Sequence, residues 1–559
     1  METKKRKISI ISVALIFILL FAVVGCVIAL QNMYEFHGLE EVAERIKHSV
    51  HLEWETFVDN VEKYNSNIAI KEIDNGNFYV LRKDNEDEYG EAAIYRDLYN
   101  ADGVMIESNE IPALDSYWIN KGCILEDGSV VLFTYDYIWK YDSNLNLEWE
   151  KYLSDEIAYG SYSFTSRDII VNDNGDYIIV GNYELQELNN DIWEWFEYSY
   201  MAVIDSQGNV KNKYSVRSEE NTSIFFDKVM VNGDNIIVFG DISIFVDDGY
   251  GGTIFDHQEG LIYNFAEDGT IKWQHQNDSN IAEYIDAIAL SDGSYVVLGR
   301  NDDGTFVTKY SSNGKVLQQE EINHDYQVTP TKILKLNDER YLVSGNTGSK
   351  VIFYLLDENF TKMLEYDYQA EGVKTNLNDM IVNQNYEIIA IGSLENHENK
   401  SSIKKGSNTN GLLAKFDITT DLVVTKIWED RNNQLETRPD SLILQVKDGG
   451  KVLAEKTITT KEDMNITFHE LPYFTETGSI IQYTIGEVEE NKDDLKNYKA
   501  TIDQANYTIT NTFEESIENV PTSDISVWMY VAIAVIACVV IVVIVVIIVK
   551  SRKKKNENQ

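Results

Sequence analysis

The chain has 559 residues, with 92 acidic side chains against 48 basic ones and a net charge of −44. That balance excludes the basic footprint that nucleic-acid binding requires, so no nucleic-acid partner is expected. Of three cysteines, Cys26 and Cys538 sit inside apolar runs, which leaves Cys123 without an internal disulfide partner and excludes a disulfide framework.

Residues 1–32 join the basic cluster Lys4-Lys5-Arg6-Lys7 to an apolar run and read as a signal peptide or a retained signal anchor. Val23-Val24-Gly25-Cys26 resembles a lipoprotein box, which makes Cys26 a candidate for lipidation. In 33–65, Leu39, Val42, Ile46 and Val50 fall at helical spacing and predict a juxtamembrane helical stalk or a packed N-terminal helix. At the other end, 527–549 is long and apolar enough for a transmembrane helix, and 550–559 is a basic tail. Basic clusters outside both apolar runs place the tail in the cytoplasm and the bulk of the chain outside it, with the membrane as a partner through the terminal segments.

From 66 to 418 the chain repeats a turn followed by a short apolar strand. Copies are NGNFYVLR, DGSVVLFT, NGDYIIVG, GDNIIVFG, DGSYVVLG, ERYLVSG and YEIIAIG, which end at 82, 134, 181, 240, 299, 345 and 392. Each is followed by a second strand–turn–strand signal such as MAVIDSQGNV. A period of about 40–50 residues with about four strands per unit predicts a seven-bladed β-propeller, whose seventh blade residues near 60–70 would complete. Two packed β-sandwiches are the alternative. The stretch Asp268-Gly269-Thr270-Ile271-Lys272-Trp273 resembles the quinoprotein-like and tryptophan–aspartate-type propellers, although most copies lack the terminal tryptophan.

Inserts at 183–200, 241–260 and 394–410 interrupt the repeat. Loops of this kind carry ligand contacts, so Trp193, Trp195, Phe196 and Tyr250 are the candidate contact residues for an extracellular protein or glycan. Alternatively, Trp193, Trp195 and Phe196 cap a neighbouring blade. NDNGD at 172–176 and NDDG at 301–304 resemble calcium loops but occupy the turn position of the repeat and read as turns. No His-Glu-x-x-His, Gly-x-Ser-x-Gly or phosphate-cradling loop occurs, so neither an enzyme activity, a metal nor a cofactor is expected.

Residues 421–513 depart from the repeat. Alternation along Val424, Lys426 and Trp428 puts a lysine on the apolar face of a strand, where an unpaired charge is costly. The segment resembles the collagen-adhesin (Cna) B-type domain of Gram-positive surface proteins. The landmarks are Lys426 with Trp428 and Asp430, Arg438-Pro439, Leu471-Pro472, Tyr483-Thr484, Glu487 and Asn511. The family's tryptophan before its central strand is replaced here by MNITF. The resemblance implies an Ig-like β-sandwich in which Lys426 forms an intramolecular isopeptide with Asn511, Glu487 shuttling the protons. Burial favours the neutral, nucleophilic amine and the protonated carboxyl that this chemistry needs. A buried Lys426–Glu487 salt bridge is the alternative.

Residues 514–526 form a linker in which Val520-Pro521-Thr522-Ser523 resembles a degenerate sortase motif, one residue short and lacking its glycine. The reading is therefore an all-β cell-surface protein: membrane segments at both ends, a seven-bladed propeller at 66–418 and a Cna B-type stalk at 421–513. A binding or adhesin-like role is expected, with an extracytoplasmic propeller enzyme or sensor as the alternative.

Overall fold

The computed structural model describes residues 45–58, 64–85, 92–112, 119, 121–189, 192–249, 252–276, 281–301, 304–322, 327–337, 340–370, 373–396, 408–431, 433, 435–460, 464–489 and 495–514. The signal or anchor at 1–32, Cys26, Tyr250, the linker past 514, the apolar run at 527–549 and the tail at 550–559 lie outside these residues. Among the described residues no helix is long and apolar enough to cross a membrane.

The described residues divide into two compact units: those from Arg45 to Val423 with Thr467–Tyr483, and Val424–Ile466 with those from Thr484 to Glu514. The first unit is built from four-stranded antiparallel sheets. Six of them are consecutive, at 64–110, 121–152, 163–217, 222–276, 283–322 and 329–368, here blades 1 to 6. Blade 7 takes Lys374–Val382, Ile388–Asn396, the first half of the long strand Asn408–Glu429 and, from the other end of the chain, Ile46–Val58.

The apolar runs of the repeat are unbroken because both faces of each sheet are buried. Tyr177 and Ile179 pack with Val131 and Phe133 of blade 2, while Ile178 and Val180 pack with Phe226 and Val238 of blade 4. Clusters of this kind join blades 1 and 2, 4 and 5, 5 and 6, and 6 and 7. Ile70 and Val80 of blade 1 pack with Ile389 and Leu413 of blade 7, which closes the circle. Closure removes the exposed edges that separate sheets would present. Many of the tyrosines belong to this core, Tyr99, Tyr141, Tyr200, Tyr295 and Tyr310 being fully buried.

The repeat's turns explain its Asn/Asp-Gly signature. Asn172 Oδ1 accepts hydrogen bonds from the Asn174 and Asp176 amides, and Gly175 takes a φ of 79° that favours glycine. At Gly314 (φ 79°) the reason is doubled, since a Cβ would lie 2.5 Å from the ring of Trp273 in the preceding blade.

Two expectations are corrected. Ile46–Val58 is a strand, not part of a helical stalk over 33–65. From Val50 the apolar residues Val50, Leu52 and Trp54 recur every second position, and this period overrides the helical spacing of Ile46 and Val50. It is also this strand, in antiparallel register with 411–422, that completes blade 7. Residues near 60–70 instead open blade 1 as Tyr64–Glu72.

In the second unit, the end of Asn408–Glu429 runs parallel to Thr508–Phe513, which pairs antiparallel with Tyr498–Asp503. A second sheet orders Lys451–Thr459, Ser441–Asp448 and Tyr483–Glu489. Leu442, Leu444 and Val446 are fully buried, so the sheet hides alternate side chains.

Candidate functional site

Alternation turns Val424, Lys426 and Trp428 to one face of their strand, and Lys426 has 0% exposure. The parallel register sets Lys426 opposite Ile509 and Trp428 opposite Asn511, so Lys426 and Asn511 are diagonal neighbours on one sheet face. Glu487 comes from the other sheet, two residues past the buried Ile485. Lys426 Nζ lies 3.3 Å from Glu487 Oε2, and Asn511 Nδ2 donates a 3.3 Å hydrogen bond to the same oxygen. One carboxylate oxygen thus faces both the amine and the amide. Glu487 Oε1 and Asn511 Oδ1 are buried without a hydrogen-bond partner, a costly state for two acceptors.

The surroundings hold this group in place. Two cations stand against the Trp428 ring, Lys426 Nζ 4.3 Å and the Arg438 guanidinium 5.1 Å from its centre. Tyr498 meets the same ring edge-on at 5.0 Å. Arg438 grips Asp430 through both oxygens at 2.6 and 2.7 Å, and Tyr498 adds a 3.0 Å hydrogen bond. Chiefly through Arg438, the Asp430 carboxyl is pulled down to about 2. The landmarks Trp428, Asp430 and Arg438 are therefore one connected support around the lysine.

In the propeller, Trp193 and Trp195 are 62% and 51% exposed, near the end of the hairpin formed by Tyr177–Asn189 and Ile192–Ile204. Phe196 turns the other way, under the Arg217 guanidinium 3.6 Å from its ring centre. Cys123 is pushed up to about 12 by burial, which leaves its thiol unreactive at neutral pH.

Two groups escaped the sequence reading. At one equivalent position of the inner strands stand Lys121, Asp168, Lys228, Asp286, Lys332 and Asp379 in blades 2 to 7, and Ala69 in blade 1. Charges alternate around the ring. Lys121 Nζ is 2.5 Å from Asp168 and Lys332 Nζ 2.5 Å from Asp379, while Asp168 and Asp286 each accept an amide from the next blade. Lys228 feels both Asp168 and Asp286. The second group is a carboxyl pair in blade 4, where Asp227 and Asp241 share a hydrogen bond. Burial first, then Asp227 and Glu283, raise Asp241 to about 8, and its Oδ1 is buried without a partner.

Comparison with known proteins bears on each unit separately. Residues 422–512 match the family model of the Cna protein B-type domain, and this segment is a Cna B-type domain. Comparison with curated proteins gave no match. Solved structures similar to the chain include the β-propeller domain of the Trilobed protease from Pyrococcus furiosus, at 12% identity and a TM-score of 0.36, covering 65% of this chain and 94% of that one. Polysaccharide lyase Uly1 is similar at 12% identity and TM-score 0.40, covering 65% and 99%. The AfRom2 CNH domain is similar at 8% and 0.37, covering 65% and 98%. The chain thus joins a β-propeller-like repeat, read from its own sheet order and closure, to a Cna B-type domain.

Proposed function

We infer that this is a cell-surface protein that displays a ligand-binding propeller on a Cna B-type stalk stapled by an isopeptide. The observation that carries the reading is the buried contact of Lys426, Glu487 and Asn511. Proton transfer from the Lys426 ammonium to Glu487 gives a neutral amine and a carboxylic acid. Turning the Asn511 amide over brings its oxygen to Glu487, which donates to it and polarises the carbonyl. Lys426 Nζ then attacks Cγ, the Cγ–Nδ2 bond breaks, and Glu487 passes the proton from the attacking nitrogen to the leaving one. Ammonia departs, and an uncharged amide replaces a buried ion pair. Contact distances fixed by the two sheets supply the orientation.

The terminal apolar runs fit the same reading, as signal or anchor at 1–32 and transmembrane helix at 527–549, with the basic tail in the cytoplasm. Exposed Trp193 and Trp195 support an adhesin-like contact face for a protein or glycan. The intact mass of the purified chain tests the staple: it should be short by one ammonia, and Lys426→Ala should restore the difference. A full mass in the parent chain overturns it.

A second reading, an extracytoplasmic propeller enzyme or sensor, draws on the Asp227–Asp241 pair, since a carboxyl protonated near neutrality can serve as a general acid. Turnover of any member of a hydrolase and lyase substrate panel, abolished in Asp241→Asn, would establish it.

A further inference from the structure

Strand Ile192–Ile204 is longer than the outer strand that covers it. Its pairing with Val210–Arg217 begins at Tyr198, opposite Arg217, and the last main-chain bond beyond that runs from the Ser218 amide to the Glu197 carbonyl. On its other side the strand stays paired down to Ile192. Main-chain groups of an antiparallel strand point to alternate sides, so the N–H and C=O of Trp193 and Trp195 face the uncovered edge together with the carbonyl of Glu197. The side chains of Trp193, Trp195 and Glu197 share one face by the same alternation.

A groove of about 720 Å³ runs along this edge, walled by Trp195, Arg217, Glu219, Glu220 and the neighbouring glutamates Glu194 and Glu197. Its charge is one-sided. Glu219 and Glu220 are exposed carboxylates, whereas the single guanidinium, that of Arg217, is stacked on Phe196 and lies 3.6 Å from Glu187. Exposed Tyr162 stands 5.0 Å from Trp195 and widens the aromatic wall.

We propose that this edge takes an extended cationic peptide segment as an added fifth strand of blade 3. An open edge offers main-chain partners at Trp193 and Trp195, which an extended peptide matches and a glycan does not. Lysine or arginine side chains of the added strand meet Glu219 and Glu220, and their aliphatic stems and charged heads lie on the indole faces. The proposal rests on the reading of the propeller as a ligand-binding domain and names the class of partner.

The test uses the full chain and fluorescence anisotropy of a labelled heptapeptide that alternates lysine and leucine. Expected results are binding in about 0.05 M salt, a loss of about tenfold or more in about 0.5 M salt, and a similar loss in Glu219→Gln/Glu220→Gln, whose exposed sites leave folding intact. Trp195→Ala and N-methylation of alternate peptide amides should each weaken binding by about tenfold, the second without any change of charge. Equal binding of a control heptapeptide with glutamate in place of each lysine, or of the N-methylated one, overturns the proposal, as does no binding of the lysine peptide. Capture of mannan or dextran by the parent chain but not by Trp195→Ala would overturn the cationic class while leaving a ligand-binding face. Lysine-peptide binding unchanged in Trp195→Ala and in the double glutamine variant would remove the face itself.

Discussion

Lys426 Nζ stands 3.3 Å from Glu487 Oε2 with the lysine wholly shielded from water. Replacing Lys426 by Met strands a buried carboxylate, and about 3–5 kcal/mol of stability should go with it. The informative variant is Lys426→Met/Glu487→Met, which removes both charges. For an ion pair alone, that double variant should unfold near the parent. With a covalent tie between first and last strands it should remain about 4 kcal/mol below, by analogy with other cross-links that close long loops. Denaturant midpoints of the Cna B-type transition distinguish the two, and the large loss is the expected result.

The Asp430–Arg438 pair makes the same domain acid-sensitive. Asp430 is held at about 2 against an ordinary 3.8, so its contribution is complete above about 3.8 and is lost as pH falls through about 2. The full difference is worth about 2 kcal/mol. Arg438→Met should therefore lower the melting temperature at pH 7 far more than at pH 2, where Asp430 is about half protonated and most of its contribution is gone. Equal losses at both pH values would refute the linkage.

In the propeller the sign is reversed. Asp241 is raised to about 8, so the folded state holds a proton that the unfolded chain has released. Stability is greatest below about 3.8 and falls as pH rises toward about 8. Asp241→Asn, which is neutral throughout, should raise the melting temperature at pH 8 relative to the parent, raise it less at pH 5 and leave it unchanged near pH 3. A parallel shift at all three pH values would contradict the assignment.

Val50 lies in the core of blade 7, on the strand that returns from the N-terminal side. Val50→Asp buries an unpaired carboxylate there and should cost about 3 kcal/mol or more. Lys47→Asp, at an exposed position of the same strand, should cost little. Melting curves of the two variants check whether closure depends on this strand.

The blades were legible because, in the turns among the described residues, a glycine or Asx residue has a backbone reason, and a strand buried on both faces follows. The landmarks around Lys426 were legible because they are one connected cluster. Ile46–Val58 was misread because Ile46 and Val50 satisfy helical spacing while Val50, Leu52 and Trp54 satisfy the strand period; the pairing partner that decides between them lies more than 350 residues away. The ring of alternating charges did leave a signal. Lys121, Asp168, Lys228, Asp286, Lys332 and Asp379 each stand six residues ahead of an Asp or Asn in the sequence, namely Asp127, Asn174, Asp234, Asp292, Asp338 and Asn385. Attention to the turn and the apolar strand after it passes over that column. The Asp227–Asp241 contact left none, because it arises from a bulge beside Asp227 that sequence alone does not locate.

Ala69 acquires a meaning from arithmetic. Strict alternation of two signs cannot be carried around a circle with an odd number of places, so a seven-membered ring must contain a blank or a clash. The blank falls in blade 1, beside the blade assembled from both ends of the repeat. There the junction is sewn by amides instead: Asn378 Nδ2 donates to the Asn67 carbonyl, and Asn67 Nδ2 to that of Leu412. The joints of blade 1 with blades 7 and 2 are thus the two at which this ring carries no ion pair, and salt that loosens the other five has no such pair to screen there.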